Sequence, residues 1–366
     1  MAFPLPQFSK NQINRAGEII KAPGNCSSTD QEWATEVLAN YRACHGYPIN
    51  TFQATLRGKL RSIDPNAIVA QRLKRTPSIV LKLQRFHGMQ LARMQDIGGL
   101  RAVLSSVKLV RQLEKSYRDA RFKHTLTSSK DYIAEPKADG YRGVHLIYRY
   151  NNENAAEYNG LSLELQIRSR LQHAWATAVE TMGTFLGQAL KSGQGETRWR
   201  EFFVKASAAL SCIEKSPQIP GFEGYDEHAI FRAVAETEAS LRVLEKLQGF
   251  AIAADQIIAS HGQGAYHLIV LDSEKRTVTI TPYATARLEI ATNAYAKVEA
   301  RTRNGEPVEA VLVSAGPIES LRRAYPNYFL DTQEFIREIK AVIAKSQPKR
   351  SATNKVVNGR RRKRGS

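Results

Sequence analysis

Cysteine is scarce in this chain. Cys26, Cys44 and Cys212 are the three cysteines among 366 residues, widely spaced and without a CxxC pair. That argues against a disulfide framework and a structural zinc site, and it fits a reducing compartment. Long apolar runs are missing as well. No stretch reaches the roughly 18 residues that a membrane-spanning helix needs. The opening Met1-Ala-Phe-Pro-Leu-Pro lacks a charged segment followed by an apolar one, as a secretory leader would have. The expectation is a soluble, cytoplasmic protein with no membrane association. No internal repeat is evident.

Acidic residues are the next shortage. The chain has 35 Asp and Glu against 53 Lys and Arg, a net charge of +18, which points to a polyanionic partner. The surplus is uneven: Lys349–Ser366 holds eight basic residues and no acidic one, leaving +10 on the other 348 residues. The segment after Gln347 reads as a basic, disordered arm on a moderately basic body.

What is present is enough hydrophobic sequence, 42 %, to bury a sizeable core in one or two domains. Residues 30–61 carry helical spacing in Trp33, Val37, Leu38 and Tyr41, then in Phe52, Leu56 and Leu60, around a turn at HGYPIN. Residues 1–60 are therefore expected to form a helical cover. A helical pattern over 67–93 leads to a strand at Leu100–Leu104 and a helix at Val107–Arg118. Val144–Tyr150 and Leu161–Ile167 flank the polar stretch NNENAAEYNG and predict a β-hairpin with a long loop. Period-two alternation puts Leu161, Leu163, Leu165 and Ile167 on one face, with Ser162, Glu164, Gln166 and Arg168 on the other.

Helices are expected at 170–191 and 195–215, and SPQIPGFEG then supplies the clearest linker. Beyond it the pattern predicts a helix over 227–260, strands Tyr266–Asp272 and Thr277–Tyr283, a helix over 284–301 and a strand at Val308–Val313. The fold class is α/β (α+β), a mixed β-sheet flanked by helices with a smaller C-terminal α/β domain. The divisions are 1–60, 61–216, 226–346 and the tail 347–366.

Four segments carry chemistry. Arg72-Leu-Lys74-Arg75-Thr-Pro-Ser78, followed by Lys82, gathers cations at the opening of a helix, as a triphosphate requires; a solvated basic helix face is the plainer alternative. Arg93-Met-Gln-Asp96-Ile-Gly98-Gly99-Leu-Arg101 sets one carboxylate beside two glycines, either a Mg²⁺ ligand or an Asp-Gly turn. Lys130–His145 contains Lys137, Asp139, Gly140, Tyr141, Arg142 and Gly143. A tyrosine between glycines can present its ring to a base, or it can be a hairpin-turn residue. Leu163-Glu164-Leu165-Gln166-Ile167-Arg168-Ser169 offers Glu164 as a base and metal ligand, or is an ordinary amphipathic strand.

In this order the segments resemble the synthetase domain of the RelA/SpoT superfamily, whose patterns run RxK…S, DxxxxR, KDYIxxPKxxGYxSxH and ExQIRT; the match covers about residues 60–180. The resemblance implies a nucleotidyltransferase-like fold and transfer of a diphosphate from ATP to a hydroxyl. By the same resemblance Arg72, Lys74, Ser78 and Arg101 hold ATP, and Asp96 and Glu164 bind Mg²⁺. Glu164 activates the acceptor hydroxyl, Tyr141 stacks on a base, and Lys137, His145, Gln166 and Arg168 complete the acceptor side. Three departures fall on that side: Gly143 for the usual serine, Ser169 for threonine, and Asp139 for the asparagine common among alarmone-making members. His173-Ala-Trp175-Ala-Thr177 is read as helix packing. The His-Asp dyad with which long family members hydrolyse their product is not found, so the enzyme is not expected to undo its product.

Tyr325-Pro326-Asn327-Tyr328 forms a YxxY pattern near the C-terminus. It is similar to the motif of toxic small alarmone synthetases of the fused toxin–antitoxin CapRel type, although two core tyrosines at a helix start give the same pattern. That resemblance implies a C-terminal pseudo-zinc-finger antitoxin domain whose Tyr325 and Tyr328 block the adenine pocket, and tRNA, at its 3′ CCA end, as the acceptor. It also implies release by a phage structural protein, typically the major capsid protein. The arm Arg360–Arg364 suits an RNA acceptor or is a solubilising extension. The alternatives are an alarmone synthetase making (p)ppGpp or (p)ppApp from a free nucleotide, and an inactive RNA-binding regulator.

Overall fold

Ser9 starts the first helix. Its hydroxyl accepts from the Gln12 amide and the Gln12 side chain reaches back, a capping box that opens α1 (Lys10–Lys21). Ser27 caps α2 (Ser28–Cys44) through its hydroxyl, and the chain turns through His45 into α3 (Gly46–Ile63). The computed structural model describes residues 3–346 except 23, 25, 75, 120–121, 190–195, 260–264, 273, 276, 305 and 315–327.

Next come β1 (Ile68–Leu73), α4 (Thr76–Arg85), β2 (Gly98–Leu104) and the Ser106-capped α5 (Val107–Arg118). They are followed by β3 (Thr125–Asp131), β4 (Val144–Arg149), β5 (Ser162–Ser169) and α6 (Arg170–Ala189). The five strands form a mixed sheet in the order β1-β2-β5-β4-β3. β2 and β5 run parallel, and every other pair is antiparallel. Leu100, Ala102, Leu104, Leu146, Tyr148, Leu163, Leu165 and Ile167 of the sheet bury against Phe52, Leu56 and Leu60 of α3 and Val110 and Leu113 of α5. The alternation of β5 thus puts its leucines into the core and leaves Glu164, Gln166 and Arg168 on the other face.

Two expectations are corrected here. Residues 67–93 are not one helical stretch: Ile68–Leu73 pairs antiparallel with Val103–Gly98 before α4 begins. Residues 125–131, for which no strand is read from the sequence, form β3, an edge strand with mostly exposed or half-exposed side chains.

α7 (Glu196–Glu214), α8 (Glu227–Leu241) and α9 (Val243–Ala259) follow, then β6 (Tyr266–Asp272), β7 (Thr277–Tyr283), α10 (Leu288–Arg303), β8 (Val308–Ser314) and α11 (Tyr328–Ser346). The single helix expected over 227–260 is broken at Arg242, which adopts φ 53. The Glu238 carboxylate bridges the break, accepting from the amides of Val243 and Leu244. A three-stranded antiparallel sheet in the order β7-β6-β8 completes this part. One apolar cluster joins Trp175 and Met182 of α6 to Phe202, Phe203 and Leu210 of α7, Phe231 of α8, Phe250 of α9 and Phe335, Ile336, Ile339 and Val342 of α11. The core therefore runs across the 217–225 linker. Among the described residues no helix is long and apolar enough to cross a membrane.

Candidate active site

Asp96 lies just before β2, where two lysines converge on it. Lys74 follows β1; its amide donates to the Ile97 carbonyl at 2.7 Å, and its Nζ reaches Asp96 Oδ2 at 2.7 Å. Lys82, in the second turn of α4, donates to Oδ1 at 2.9 Å. Burial works against the charged carboxylate, but hydrogen bonds and charge from Lys74 and Lys82 outweigh it and hold Asp96 below the usual range. From the sequence Lys82 is only one cation of a cluster; its i+4 spacing from Ser78, which places both on one side of α4, is the signal that singles it out.

Gly98 and Gly99 are required by close approach. A Cβ on Gly98 would sit 2.7 Å from that of His45, and one on Gly99 would sit 2.7 Å from the Glu164 carbonyl oxygen. Gly99 thereby lets β2 and β5 close up in register, Gly99 against Glu164 and Arg101 against Gln166. Arg101 is 5 % exposed. Arg72 stands on β1 opposite Gly99; its side chain lies outside the described residues. Ser78 lies near the start of α4.

Glu164 is the centre of the second group. Its Oε1 is 2.7 Å from Nδ1 of His145 on the neighbouring strand, and its Oε2 accepts from Gln166 Nε2 at 2.7 Å. Burial raises the carboxyl, and the His145 and Gln166 contacts more than offset it, so Glu164 is held below the ordinary value; the charge of Asp96 pushes the other way. That opposition places the two carboxylates within electrostatic reach of each other.

The network continues to the tyrosine. The Tyr141 hydroxyl is 2.5 Å from His145 Nε2 and accepts from Arg168 Nη2 at 2.9 Å, while the same Nη2 donates to Gln166 Oε1 at 3.0 Å. His145 thus bridges the two groups, with Nδ1 toward Glu164 and Nε2 toward the tyrosine hydroxyl. The Tyr141 ring lies between cations, with Lys137 Nζ 5.1 Å and Arg168 Cζ 5.0 Å from its centroid. Tyr132, unassigned from sequence, adds an edge-on ring at 5.7 Å and takes Lys137 at 4.4 Å. A Cβ at Gly143 would lie 3.3 Å from the Tyr141 hydroxyl and 3.2 Å from Arg168 Cγ. The missing serine side chain is thus what gives the hydroxyl room beside Arg168.

Lys137, Tyr141, His145 and Arg168 line a cavity of about 1070 Å³ together with Trp175 and Phe203. Tyr325 lies outside the described residues. Tyr328 is the first residue of α11, and its side chain also lies outside them.

Residues 71–183 match a family model described as the region found in RelA / SpoT proteins. That stretch, under a third of the chain, is similar to the RelA/SpoT region. Among RelA/SpoT relatives, the GTP pyrophosphokinase YjbM of Bacillus subtilis is 35 % identical over 117 residues, 31 % of this chain and 54 % of that protein. The GTP pyrophosphokinase YwaC of the same organism is 34 % identical over 146 residues, 38 % of this chain and 61 % of that protein. The chain thus spans little more than half the length of the curated relatives it matches. The crystal structure of small alarmone synthetase 1 from Bacillus subtilis bound to its product pppGpp is similar with a TM-score of 0.41 and 25 % identity, covering 50 % of this chain and 94 % of that one.

Carboxylates of the kind that hold a magnesium ion are present at this site. The charge of Asp96 acts on Glu164, and Mg²⁺ is commonly held by one or two carboxylates plus phosphate oxygens and water. Both oxygens of Asp96 carry ammonium partners, so a metal ion bound there would share the carboxylate with Lys74 and Lys82 or displace them.

Proposed function

We propose that the protein is a cytoplasmic ATP-dependent pyrophosphokinase. The observation that carries this reading is Glu164, held ionised by His145 and Gln166 and within electrostatic reach of Asp96 with its two lysines. Phosphoryl transfer asks the protein for positioning and charge compensation more than for covalent chemistry. Lys74, Lys82, Arg72 and Arg101 would hold the triphosphate, with Ser78 contributing at the α4 N-terminus. Asp96 and Glu164 would hold Mg²⁺, which supplies charge neutralisation on the phosphate oxygens. Glu164 takes the acceptor's hydroxyl proton as the acceptor oxygen bonds to the β-phosphorus; the bond to the α-phosphate oxygen breaks and AMP leaves.

For the acceptor, the reading is the 3′ CCA end of tRNA. It is supported by the basic body of the chain and by the changed surroundings of Tyr141 at Gly143. The C-terminal part would restrain the activity. Phe335 of α11 packs 5.8 Å from Phe203, a wall residue of the cavity, so the helix that begins at Tyr328 is anchored beside the acceptor cavity. The function would be an autoinhibited toxin–antitoxin in anti-phage defence, released by a phage structural protein such as the major capsid protein. A second reading is favoured by the names of the curated relatives, GTP pyrophosphokinases: a guanosine nucleotide would then be the acceptor.

The test incubates the purified chain and its Tyr328→Ala variant with β-labelled ATP and Mg²⁺, separately with bulk tRNA, GDP, GTP and adenine nucleotides. Label on tRNA, increased by Tyr328→Ala, is the expected result. Label only on nucleotides establishes the second reading, and no transfer to any acceptor overturns the enzyme assignment.

A further inference from the structure

Arg142 sits beside the tyrosine just described, yet its side chain points the other way. It is 2 % exposed, and none of the chemistry above uses it. Its guanidinium forms an ion pair with Glu214 at the C-terminal end of α7, and Nε and Nη1 donate to Ser207 at 3.2 Å and Ser216 at 3.1 Å. Ser207 in turn donates to the Gly140 carbonyl at 2.6 Å. Both residues flanking Tyr141 are therefore tied to the α7 region.

The second carboxylate oxygen of Glu214 is also engaged. It accepts from the Ser169 hydroxyl, at the junction where β5 becomes α6. Ser169 and Gln172 cap that junction reciprocally: the Ser169 amide donates to Gln172 Oε1 at 3.0 Å, and the Gln172 amide donates to Ser169 Oγ at 3.1 Å. One buried carboxylate thus joins the loop bearing Tyr141, the strand bearing Glu164 and Arg168, and a helix, α7, that also lines the cavity. A buried charge pair contributes little net stability compared with an apolar replacement of similar size. Its value here lies in fixing geometry.

We propose that Arg142 and Glu214 are positioning residues, an internal clamp that fixes the Tyr141 loop against β5 and so sets the shape of the acceptor side. Gly140 fits this role: it adopts φ +88, and a Cβ there would meet Trp175 at 3.0 Å and Ser207 at 3.1 Å, so the loop is pressed directly onto the helices it is clamped to. Neither partner touches the donor group around Asp96. The clamp therefore acts on the acceptor and leaves ATP binding alone. Only its kinetic consequence rests on the pyrophosphokinase reading.

The test compares wild type with Glu214→Gln, which leaves Arg142 without its counter-charge, and with the double variant Arg142→Met/Glu214→Leu, which removes both charges. Amide hydrogen exchange over residues 137–143 is measured by mass spectrometry, and KM for ATP and for the acceptor found by the labelling assay is measured in parallel. In the double variant, exchange in this loop should rise about tenfold while exchange in α3 and α5 is unchanged. Acceptor KM should rise about tenfold with ATP KM within twofold. Should Glu214→Gln fail to fold, the double variant carries the test alone. Unchanged loop exchange overturns the clamp whatever the activity; changed exchange with unchanged acceptor KM confines the pair to a structural role and also overturns it. Absence of transfer in wild type overturns the function reading instead, and the exchange data still decide the clamp.

Discussion

Nδ1 of His145 stands 2.7 Å from Oε1 of Glu164, across the β4–β5 pair. The contact sets the charge state of the carboxylate on which the proposed chemistry turns, and it yields a pH prediction. Glu164 is depressed below its ordinary value of 4.5 despite its burial. A depressed acid contributes stability that is present above its unfolded value and is lost as pH falls through its folded value. Removing His145 takes away the main lowering influence. In His145→Ala the acid limb of kcat/KM is therefore expected at higher pH than in wild type. Identical acid limbs would contradict it.

Asp96→Asn keeps the shape of the side chain and removes its charge from between Lys74 and Lys82. Loss of one preorganised electrostatic partner should lower pyrophosphate transfer by about 10²–10³-fold. Leaving the two lysines without their carboxylate should cost about 1–3 kcal/mol of stability. Steady-state kinetics and urea denaturation measure the two effects on one preparation.

Gly99→Ala places a methyl group 2.7 Å from the Glu164 carbonyl oxygen, inside a parallel strand pair with no freedom to part. Overpacking of this kind costs about 1–3 kcal/mol. The strand that must move carries Glu164, so activity should fall further than stability alone explains. A variant with wild-type Tm and activity would show that the pair is not closely packed.

Phe335→Ala empties a buried ring from the contact between α11 and α7. The expected loss is about 3–5 kcal/mol, read from thermal unfolding. If α11 restrains the enzyme, this variant should also show raised basal transfer at temperatures where it remains folded; equal basal transfer would separate the anchor from regulation.

Much of the fold was legible in the sequence, for identifiable reasons. Val107–Arg118 matches α5 to the residue because Ser106 marks its start and the apolar spacing is regular. The strands Tyr266–Asp272 and Thr277–Tyr283 match because a short polar turn separates two alternating runs. Ile68–Leu73 was hidden because its apolar residues continue the spacing of the helix after it, and only pairing with β2 makes it a strand. Thr125–Asp131 was hidden because an edge strand has little apolar sequence to show. The break at Arg242 carries no glycine; a carboxylate four residues earlier secures it.

The site divides in the same way. Asp96, Lys74, His145, Glu164, Gln166 and Arg168 stood in short motifs, and the structure brings them into two hydrogen-bonded groups. Arg142 with Glu214 could not be read, since 72 residues separate them and each alone looks like an ordinary surface charge. Tyr141 was expected to stack on a base. Its ring is flanked by Lys137 and Arg168 and its hydroxyl is fully engaged, so any base that stacks there meets a ring already fixed in place.

The direct passage of β5 into α6 has a last consequence. Ser162–Ala189 is one unbroken length that carries Glu164 near its beginning and Trp175 on the cavity wall farther along. The proposed base and a residue of the cavity wall thus lie on one continuous length of chain. Under the proposed function, recutting α6 to change the acceptor would disturb Glu164 as well, whereas Phe203 and Val204 on α7 line the same cavity from a different element.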